Sequence, residues 1–349
     1  LVWPTKGQAA VGSVDDGVLA QSSQDEEVRP IASMTKVITA LALLEKYPYD
    51  VATGGASYTL NQTDVAVMTA YQAKQGTVLP IKAGQVITQH EAMQAMLITS
   101  ANNMSDMLTV RQFGSMDAYL AYANSYLAAK GLSKTKVADA SGFSAQSVSV
   151  PSEMVRLGKL ALENTVIRDI VSVQQLDLGA FGSLRNTNRL LSEDGIIGIK
   201  TGTTDEAGNC LLFAAKHRVS ETYEVIIIGV VMGSASSADV LMASRALLSS
   251  ARTQFAPYTV ANAGTEVARI TTPWGQTASL RLKGDLTVNA WRGTAISLKP
   301  VLMPTPSSFA QGTVLGAVEV MGEENLRTEV VSSAGISPPT IWWRLRNLR

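Results

Sequence analysis

The chain has little with which to hold a metal or form a disulfide. Its 349 residues include one cysteine, Cys210, and two histidines, His90 and His217. A single cysteine excludes an internal disulfide, and so few sulfur and imidazole ligands argue against a zinc site. An excess of one charge is also missing. Lys+Arg and Asp+Glu both number 29, giving a formal net charge of +0. No field over the whole surface draws the chain to polyanions, so nucleic acid is not an expected partner. The longest dense apolar run, VIIIGVVM from Val225 to Met232, falls far short of the ~20 residues that span a bilayer. The first residues, LVWPTKGQ, have neither the apolar core nor the cleavage site of a signal peptide, and a processed secreted chain is the expectation. No G-x-S-x-G elbow and no P-loop occurs, and a Ser-His-Asp triad would have to be built on one of the two histidines.

What is present suffices for a folded core. Hydrophobic residues make up 46% of the chain and charged residues 17%, below the usual share of about 25%. At roughly 150 residues per domain the length implies two domains. Near the start, AAVGSVDDGVLAQS reads as a hairpin about Asp16-Gly17, a pair that tolerates the tight turn. After Arg29-Pro30, Val37, Leu41 and Leu44 recur at i, i+4 and i+7 and predict a helix ending before Pro48. Residues 48–87 mix breakers and short apolar runs and give no clear assignment. Helical spacing returns over 90–98, 103–113 and 116–129. From about 195 the period shortens, and 196–200, 209–217 and 222–233 read as three strands of a buried sheet, followed by a helix over 237–252. This order predicts an α+β domain, one sheet with helices packed on it, over 1–254. Beyond Pro257, turn pairs such as Trp274-Gly275 and Gly284-Asp285 punctuate short alternating runs, the rhythm of a small all-β sandwich over 255–331. Residues 332–349 read as a linker, SSAGISPP, and a tail with Trp342, Trp343, Arg344, Arg346 and Arg349. Tryptophans among cations suit a membrane surface; packing of Ile341 to Trp343 on the β domain is the other reading.

The chemistry the residues allow centres on a serine and a lysine. Ser33-Met34-Thr35-Lys36 opens the first long helix, and a spacing of three places both side chains on one face. Outward-pointing N–H groups at the helix start favour an oxyanion at Ser33. Lys36 can take the serine proton only when neutral, a state that burial and a second nearby cation would promote. The S-x-x-K pattern is short, and Ser133-Lys134-Thr135-Lys136 repeats it before a turn, where solvated surface is expected. Thr99-Ser100-Ala101-Asn102, taken singly, reads as helix capping. Lys200-Thr201-Gly202 closes a strand: the lysine offers a second cation, Thr201 a donor to a carboxylate, and Gly202 an edge an extended ligand can approach.

S-x-x-K, S-x-N and K-T-G in this order form the signature of penicillin-recognising serine enzymes. With RPIASMTKVITALALLEK, SANNMSDML, DASGFSAQSVS and IKTGTTDEAGNCLLFAAK, residues 9–254 resemble the D-alanyl-D-alanine carboxypeptidase group of low-molecular-weight penicillin-binding proteins. The resemblance implies a β-lactamase/D,D-peptidase-like catalytic domain and a C-terminal β domain. It implies that Ser33 is the acylated nucleophile and Lys36 its general base, that Ser100 relays a proton to the leaving amine, and that Asn102 contacts the substrate amide. Lys200 would raise the positive potential, Thr201 would bind the terminal carboxylate beside Gly202, and the N–H groups of Ser33 and Thr203 would form the oxyanion hole. The implied substrate is the peptidoglycan stem peptide and the implied inhibitors are β-lactams, with no metal or organic cofactor. A monomer outside the cytoplasm is expected. Three departures stand out. Residues 48–87 are longer than the usual segment, so a different substrate entrance is expected. Gly233 to Ser244 contains no arginine where the group has one for the carboxylate. Asp139, an acidic loop residue, has Arg185 and Arg189 as possible basic partners. A D,D-endopeptidase would use the same motifs. A β-lactamase would need a water-activating glutamate, but no E-x-x-L-N pentapeptide occurs and Glu153 and Glu163 have other surroundings. A non-catalytic wall-binding scaffold is the alternative outside enzymology.

Overall fold

The computed structural model describes residues 1–321 and 323–347. It divides into two compact units: Leu1–Arg218 with Glu224–Thr253, and Val219–Tyr223 with the chain from Gln254 onward.

The first unit is built on a five-stranded sheet. Strands β1 (Gln8–Ser13) and β2 (Gly17–Gln21) form the expected hairpin, and β3 (Ile196–Thr204), β4 (Gly208–Arg218) and β5 (Glu224–Ser234) complete the order β2-β1-β5-β4-β3. All pairings in it are antiparallel. Alternate side chains point to opposite faces. Leu212, Ala214, Ile228, Val230 and Met232 therefore join the core formed with the helical body. Their neighbours Leu211, Phe213, Ala215, Ile227 and Val231 are equally buried on the other face. There lies the helix Ser237–Arg252, whose buried positions Val240, Ser244, Leu247, Leu248 and Ala251 follow the helical repeat. A sheet covered on both faces has no polar side, which is why β5 reads as an unbroken apolar run.

The helical body contains α1 (Thr35–Lys46), α2 (Gln62–Ala73), α3 (Gln89–Ile98), α4 (Asn102–Phe113), α5 (Met116–Ala129), α6 (Pro151–Glu163) and α7 (Thr165–Val171), with α8 the helix on the far face. Every residue of α1 from Thr35 to Leu44 is buried, so this helix runs through the middle of the body instead of along its surface. Helices α2, α6 and α7 lie outside the elements expected from periodicity. Helix α2 has no buried residue and hence no apolar stripe, although its start is written locally as a reciprocal cap between Asn61 and Asp64. Helix α6 is marked by Pro151 in its first turn and by Met154, Val155, Leu157, Gly158, Ala161 and Leu162, which follow the helical repeat and are buried.

The second unit contains β6 (Phe255–Ala261), β7 (Glu266–Thr271), β8 (Thr277–Leu282), β9 (Leu286–Trp291), β10 (Leu298–Leu302), β11 (Val314–Val320) and β12 (Glu323–Ser332). They form a β6-β9 ribbon and a five-stranded sheet, β7-β8-β12-β11-β10. Leu286 and Val288 of the ribbon share a core with Leu280, Leu282, Leu315, Val318 and Val330 of the sheet. The stretch expected as a linker is instead bonded into this unit. Ser333 N donates to Ser279 O at 2.8 Å, and Ile336 and Phe309 exchange bonds as a β-bridge. The tail forms a short helix, Ile341–Asn347. Trp343 meets Trp274 edge to face at 5.8 Å, whereas Ile341, Trp342 and Leu345 are exposed. Arg349 of the basic tail lies outside the described residues.

One cross-strand pair holds the middle of the first sheet. Phe213 lies opposite Gly229, and a Cβ on Gly229 would fall 2.2 Å from the Phe213 ring. Gly229→Ala is expected to cost about 1–3 kcal/mol through overpacking. Phe213→Leu in the same chain should recover part of that loss, measured by urea unfolding as a double-mutant cycle; strict additivity would contradict the pairing.

Candidate active site

Ser33 sits in a single 3-10 turn, Ala32–Met34, that feeds into α1. Lys36, one turn later, is fully buried, and its Nζ has three partners: Ser33 Oγ at 2.8 Å, Asn102 Oδ1 at 2.7 Å and the Ser141 carbonyl at 2.7 Å. The amine thus joins the start of α1, the start of α4 and the loop after Ala140. Burial holds the Lys36 pKa well below the usual lysine range, and the neighbouring Lys200 lowers it further; Asp139 and Asp106 act in the opposite direction.

The S-x-N residues do not cap a helix. Ala101 is the N-cap of α4 and makes no side-chain cap. The Asn102 N–H instead donates to the Thr77 carbonyl at 2.8 Å, which frees the Asn102 side chain to accept from Lys36. Ser100, beside it, is 6% exposed and holds φ +68, a left-handed conformation unusual for serine.

The K-T-G segment lies on β3, an edge strand. Lys200 is buried to 1% exposure, and burial pulls its pKa down to about 7. Thr201 Oγ1 donates to Thr187 Oγ1 at 2.6 Å, and Thr203 Oγ1 to Asn209 Oδ1 at 3.2 Å. Gly202 has a reason beyond an open strand edge. A Cβ there would stand 2.9 Å from the Ile31 carbonyl and 3.1 Å from Ser33 N, so its absence lets β3 close against the turn carrying Ser33. Gly142 does the same from another side: at φ +74, its Cβ would meet the Ala32 carbonyl at 1.8 Å. Ser33, Ser100, Thr201, Gly202 and Thr203 line one cleft of about 820 Å3, while Lys36, Asn102 and Lys200 are buried.

Among the described residues Asp139 has no basic ion-pair partner. Its carboxylate accepts from Ser141 Oγ, Ser147 Oγ and the N–H groups of Gly142, Phe143 and Ser144, so it shapes the loop whose Ser141 carbonyl holds Lys36. Arg185 and Arg189 line the cleft instead. The second S-x-x-K copy is not all solvated: Ser133, Lys134 and Lys136 are exposed, but Thr135 is buried and donates to Glu153 at 2.5 Å. Glu153 is thereby occupied, and Glu163 pairs with Lys159 at 3.1 Å. Neither lines the cleft.

Sequence reasoning missed Tyr71, Asp106 and Thr187. Tyr71, on α2 within the unassigned 48–87 segment, donates to Asp106 Oδ2 at 2.9 Å and contacts Ser141 Oγ at 3.4 Å. From that segment Thr77 reaches the cleft. Burial raises the Asp106 pKa to about 6 against the opposing Tyr71 bond. The Asn61/Asp64 cap could have located α2; no sequence signal ties Tyr71 to Asp106. Among the described residues no group of three or more His, Cys, Asp or Glu side chains could hold a metal.

Two changes test the backbone around the site. Ser100→Gly should raise stability by about 0.5–1 kcal/mol by releasing the left-handed serine. Gly142→Ala should lower it by more than about 2 kcal/mol, because both φ and the Ala32 carbonyl oppose a Cβ. Urea midpoints of the two variants moving in the same direction would contradict this account.

The sequence model of the D-alanyl-D-alanine carboxypeptidase family matches residues 10–236, more than half of the chain. A D-alanyl-D-alanine endopeptidase of Haemophilus influenzae is 29% identical over 206 residues, 57% of this chain and 66% of that protein. The D-alanyl-D-alanine carboxypeptidase DacF of Bacillus subtilis is 26% identical over 57% of this chain and 51% of its own. The chain thus spans just under two-thirds, or about half, of these relatives. In fold it is similar to penicillin binding protein 5 from Haemophilus influenzae, with a TM-score of 0.66 at 17% identity, covering 96% of this chain and 98% of that one. With its α+β first unit and β-rich second unit, the chain belongs to the D-alanyl-D-alanine carboxypeptidase family of low-molecular-weight penicillin-binding proteins.

Proposed function

We propose that the chain is a serine D,D-carboxypeptidase that removes the terminal D-alanine from peptidoglycan stem peptides through an acyl-enzyme on Ser33, and that β-lactams acylate the same serine. The observation that carries this reading is the set of partners around Lys36 Nζ. Two of the three, Asn102 Oδ1 and the Ser141 carbonyl, can only accept hydrogen bonds. A neutral amine has two N–H bonds and one lone pair. With both N–H groups held by those oxygens, the lone pair is left for the Ser33 hydroxyl at 2.8 Å. Burial and Lys200 favour that neutral form.

Ser33 Oγ then attacks the carbonyl carbon between the two D-alanines, and its proton passes to Lys36 Nζ. The N–H groups of Ser33 and Thr203 are assigned to the developing oxyanion. When the C–N bond breaks, the leaving amine takes the proton, with Ser100 as relay, and the acyl group remains on Ser33. Water reverses the sequence and frees the shortened peptide. Asn102 keeps Nδ2 for the substrate amide, since its Oδ1 holds Lys36. Lys200 supplies positive potential, and Thr201 turns its hydroxyl from Thr187 to the substrate carboxylate. The family's substrate supports a location outside the cytoplasm. The exposed Ile341, Trp342 and Leu345, with Arg344 between them, support a peripheral membrane contact of the tail. No helix among the described residues is long and apolar enough to cross a membrane.

A second reading, D,D-endopeptidase, is supported by the cleft itself. It continues past Thr203 to Asn209, Ser237 and Leu241, with room for a longer leaving peptide. The Haemophilus influenzae relative bears that name.

Intact mass after mixing with benzylpenicillin should show a one-to-one adduct that is absent in Ser33→Ala. D-alanine should be released from a pentapeptide faster than a cross-linked dimer is cut. Absence of both adduct and D-alanine would overturn the reading, and preferential dimer cleavage would favour the endopeptidase. The pH dependence of acylation follows from the two lysines. Loss of the Lys36 proton should raise the rate, and loss of the Lys200 charge near 7 should lower it. Lys200→Arg keeps its charge at all accessible pH and should remove the falling limb; an unchanged limb would assign it elsewhere.

A further inference from the structure

Two residues outside the three motifs complete a circuit of contacts behind Lys36. The amine rests on Asn102 Oδ1 and on the Ser141 carbonyl. Asp106 follows Asn102 by four residues on α4, which puts both side chains on one face with Cβ atoms about 6 Å apart. Tyr71, in the last turn of α2, donates to Asp106 Oδ2 at 2.9 Å, and its oxygen lies 3.4 Å from Ser141 Oγ. Asp106 therefore stands one step beyond one partner of Lys36, and Tyr71 one step beyond the other.

Tyr71 is fixed in this position. Its ring packs edge to face on Phe143 at 5.5 Å. Gly76 leaves room for it: a Cβ there would stand 3.1 Å from Tyr71 Cδ1 and 3.0 Å from Asn102 Nδ2. Helix α2 buries no residue of its own, but side chains tie both its ends to α4. Asp64 pairs with Arg111 at 2.7 Å near the start, and Tyr71 holds Asp106 near the finish.

The two carboxylates near Lys36 differ in what they do for the fold. Asp139 gives its oxygens to five donors of its own loop. Asp106 accepts from Tyr71, and its Oδ1, shut off from solvent, has no hydrogen-bond partner among the described residues. Fewer local dipoles offset the charge of Asp106, so more of its field reaches its neighbours. Burial raises its pKa to about 6, which leaves it ionised at neutral pH. Tyr71 on α2, Asp139 in its loop and Lys36 on α1 face it, and Tyr119 on α5 lies within its field. Lys200 on β3 enters through Lys36. Burying the Asp106 charge works against folding, so packing does not call for a carboxylate here.

We propose that Asp106, aimed and kept ionised by the Tyr71 hydroxyl, is a positioning residue for the general base: its charge returns to the buried Lys36 amine part of the proton affinity that burial removes. The inference rests on the acyl-enzyme reading above and deepens it. A base that burial has made too weak accepts the serine proton poorly, and one left too strong stays protonated. Asp106 sets the balance without touching Ser33 or exchanging a proton with the substrate.

The test is the second-order rate of acylation of the full chain by benzylpenicillin, followed by intact mass across the pH range in which the chain stays folded. Asp106→Asn keeps the shape and removes the charge. Its rising limb should move to lower pH by about one unit, with a severalfold lower maximum rate, because the amine sheds its proton sooner and accepts one less readily. Asp106→Glu restores the charge and should bring the limb back toward its wild-type position. Tyr71→Phe removes the bond that favours ionised Asp106 and should shift the limb in the same direction as Asp106→Asn, by less. Structural damage would lower the rate without this shift. The urea midpoint of Asp106→Asn at neutral pH should equal or exceed that of wild type, since no charge is then buried at this position. If Asp106→Asn does not fold, Tyr71→Phe carries the same test. A limb that stays in place or moves to higher pH in the variant tested, or a wild type without a rising limb, would overturn the role of Asp106 alone. A wild type that benzylpenicillin acylates at no pH would overturn the acyl-enzyme reading itself.

Discussion

Everything at the site depends on taking the Lys36 amine out of water. A lone ammonium in a protein interior is costly, and a group placed there loses its proton unless charge or hydrogen bonds oppose it. Among the described residues no carboxylate touches Nζ; its neighbours are two carbonyl oxygens and a hydroxyl. Lys200 is buried in the same region and makes the charged state of Lys36 less favourable still. Burial of α1 on every side follows from this requirement. An amphipathic surface helix would leave Lys36 in solvent with an ordinary pKa.

Close approach of the surrounding segments is the second constraint. Gly202 and Gly142 allow β3 and the 139–143 loop to reach the turn that carries Ser33, where any side chain would collide with backbone. Ala32, in the same turn, stands at φ +46, and Ser100 at φ +68. Such conformations cost about 1–3 kcal/mol each and persist only where the surroundings overdetermine them. The surroundings here do so. The chain before Ala32 is tied by Ile31 N to the Ser147 carbonyl, and the residues after Ser100 are tied to Ala95 and Thr77. A site braced in this way keeps its hydrogen-bond partners in place before a ligand arrives.

Behind this shell lies a layer built by the segment that periodicity left unassigned. Tyr71 from α2 donates to Asp106 on α4, and Asp106 is buried enough for its pKa to rise to about 6. Asp139, two residues before the Ser141 carbonyl, organises its loop with five bonds of its own. These groups shape the field and the geometry at Lys36 without touching Ser33.

The sequence by itself determined most elements and pointed to Ser33 and Lys36 as a pair. The 3.6 period of α1, the apolar runs of β4 and β5 and the turn pairs of the β-rich unit are local properties, because backbone geometry imposes them on neighbouring residues. S-x-x-K, S-x-N and K-T-G are local as well, and their order was enough to suggest a common site. Tertiary structure decided what each residue contacts. Asn102 holds Lys36 where a local reading made it a helix cap, Gly202 makes room for a turn, Asp139 serves its own loop, and Arg185 and Arg189 face the cleft. SSAGISPP, read as a linker from its composition, is drawn into a sheet by Ser279 and Phe309. The reason is the same in each case. A hydrogen bond or a steric gap between residues far apart in the chain depends on packing, and nothing in the neighbouring sequence encodes it.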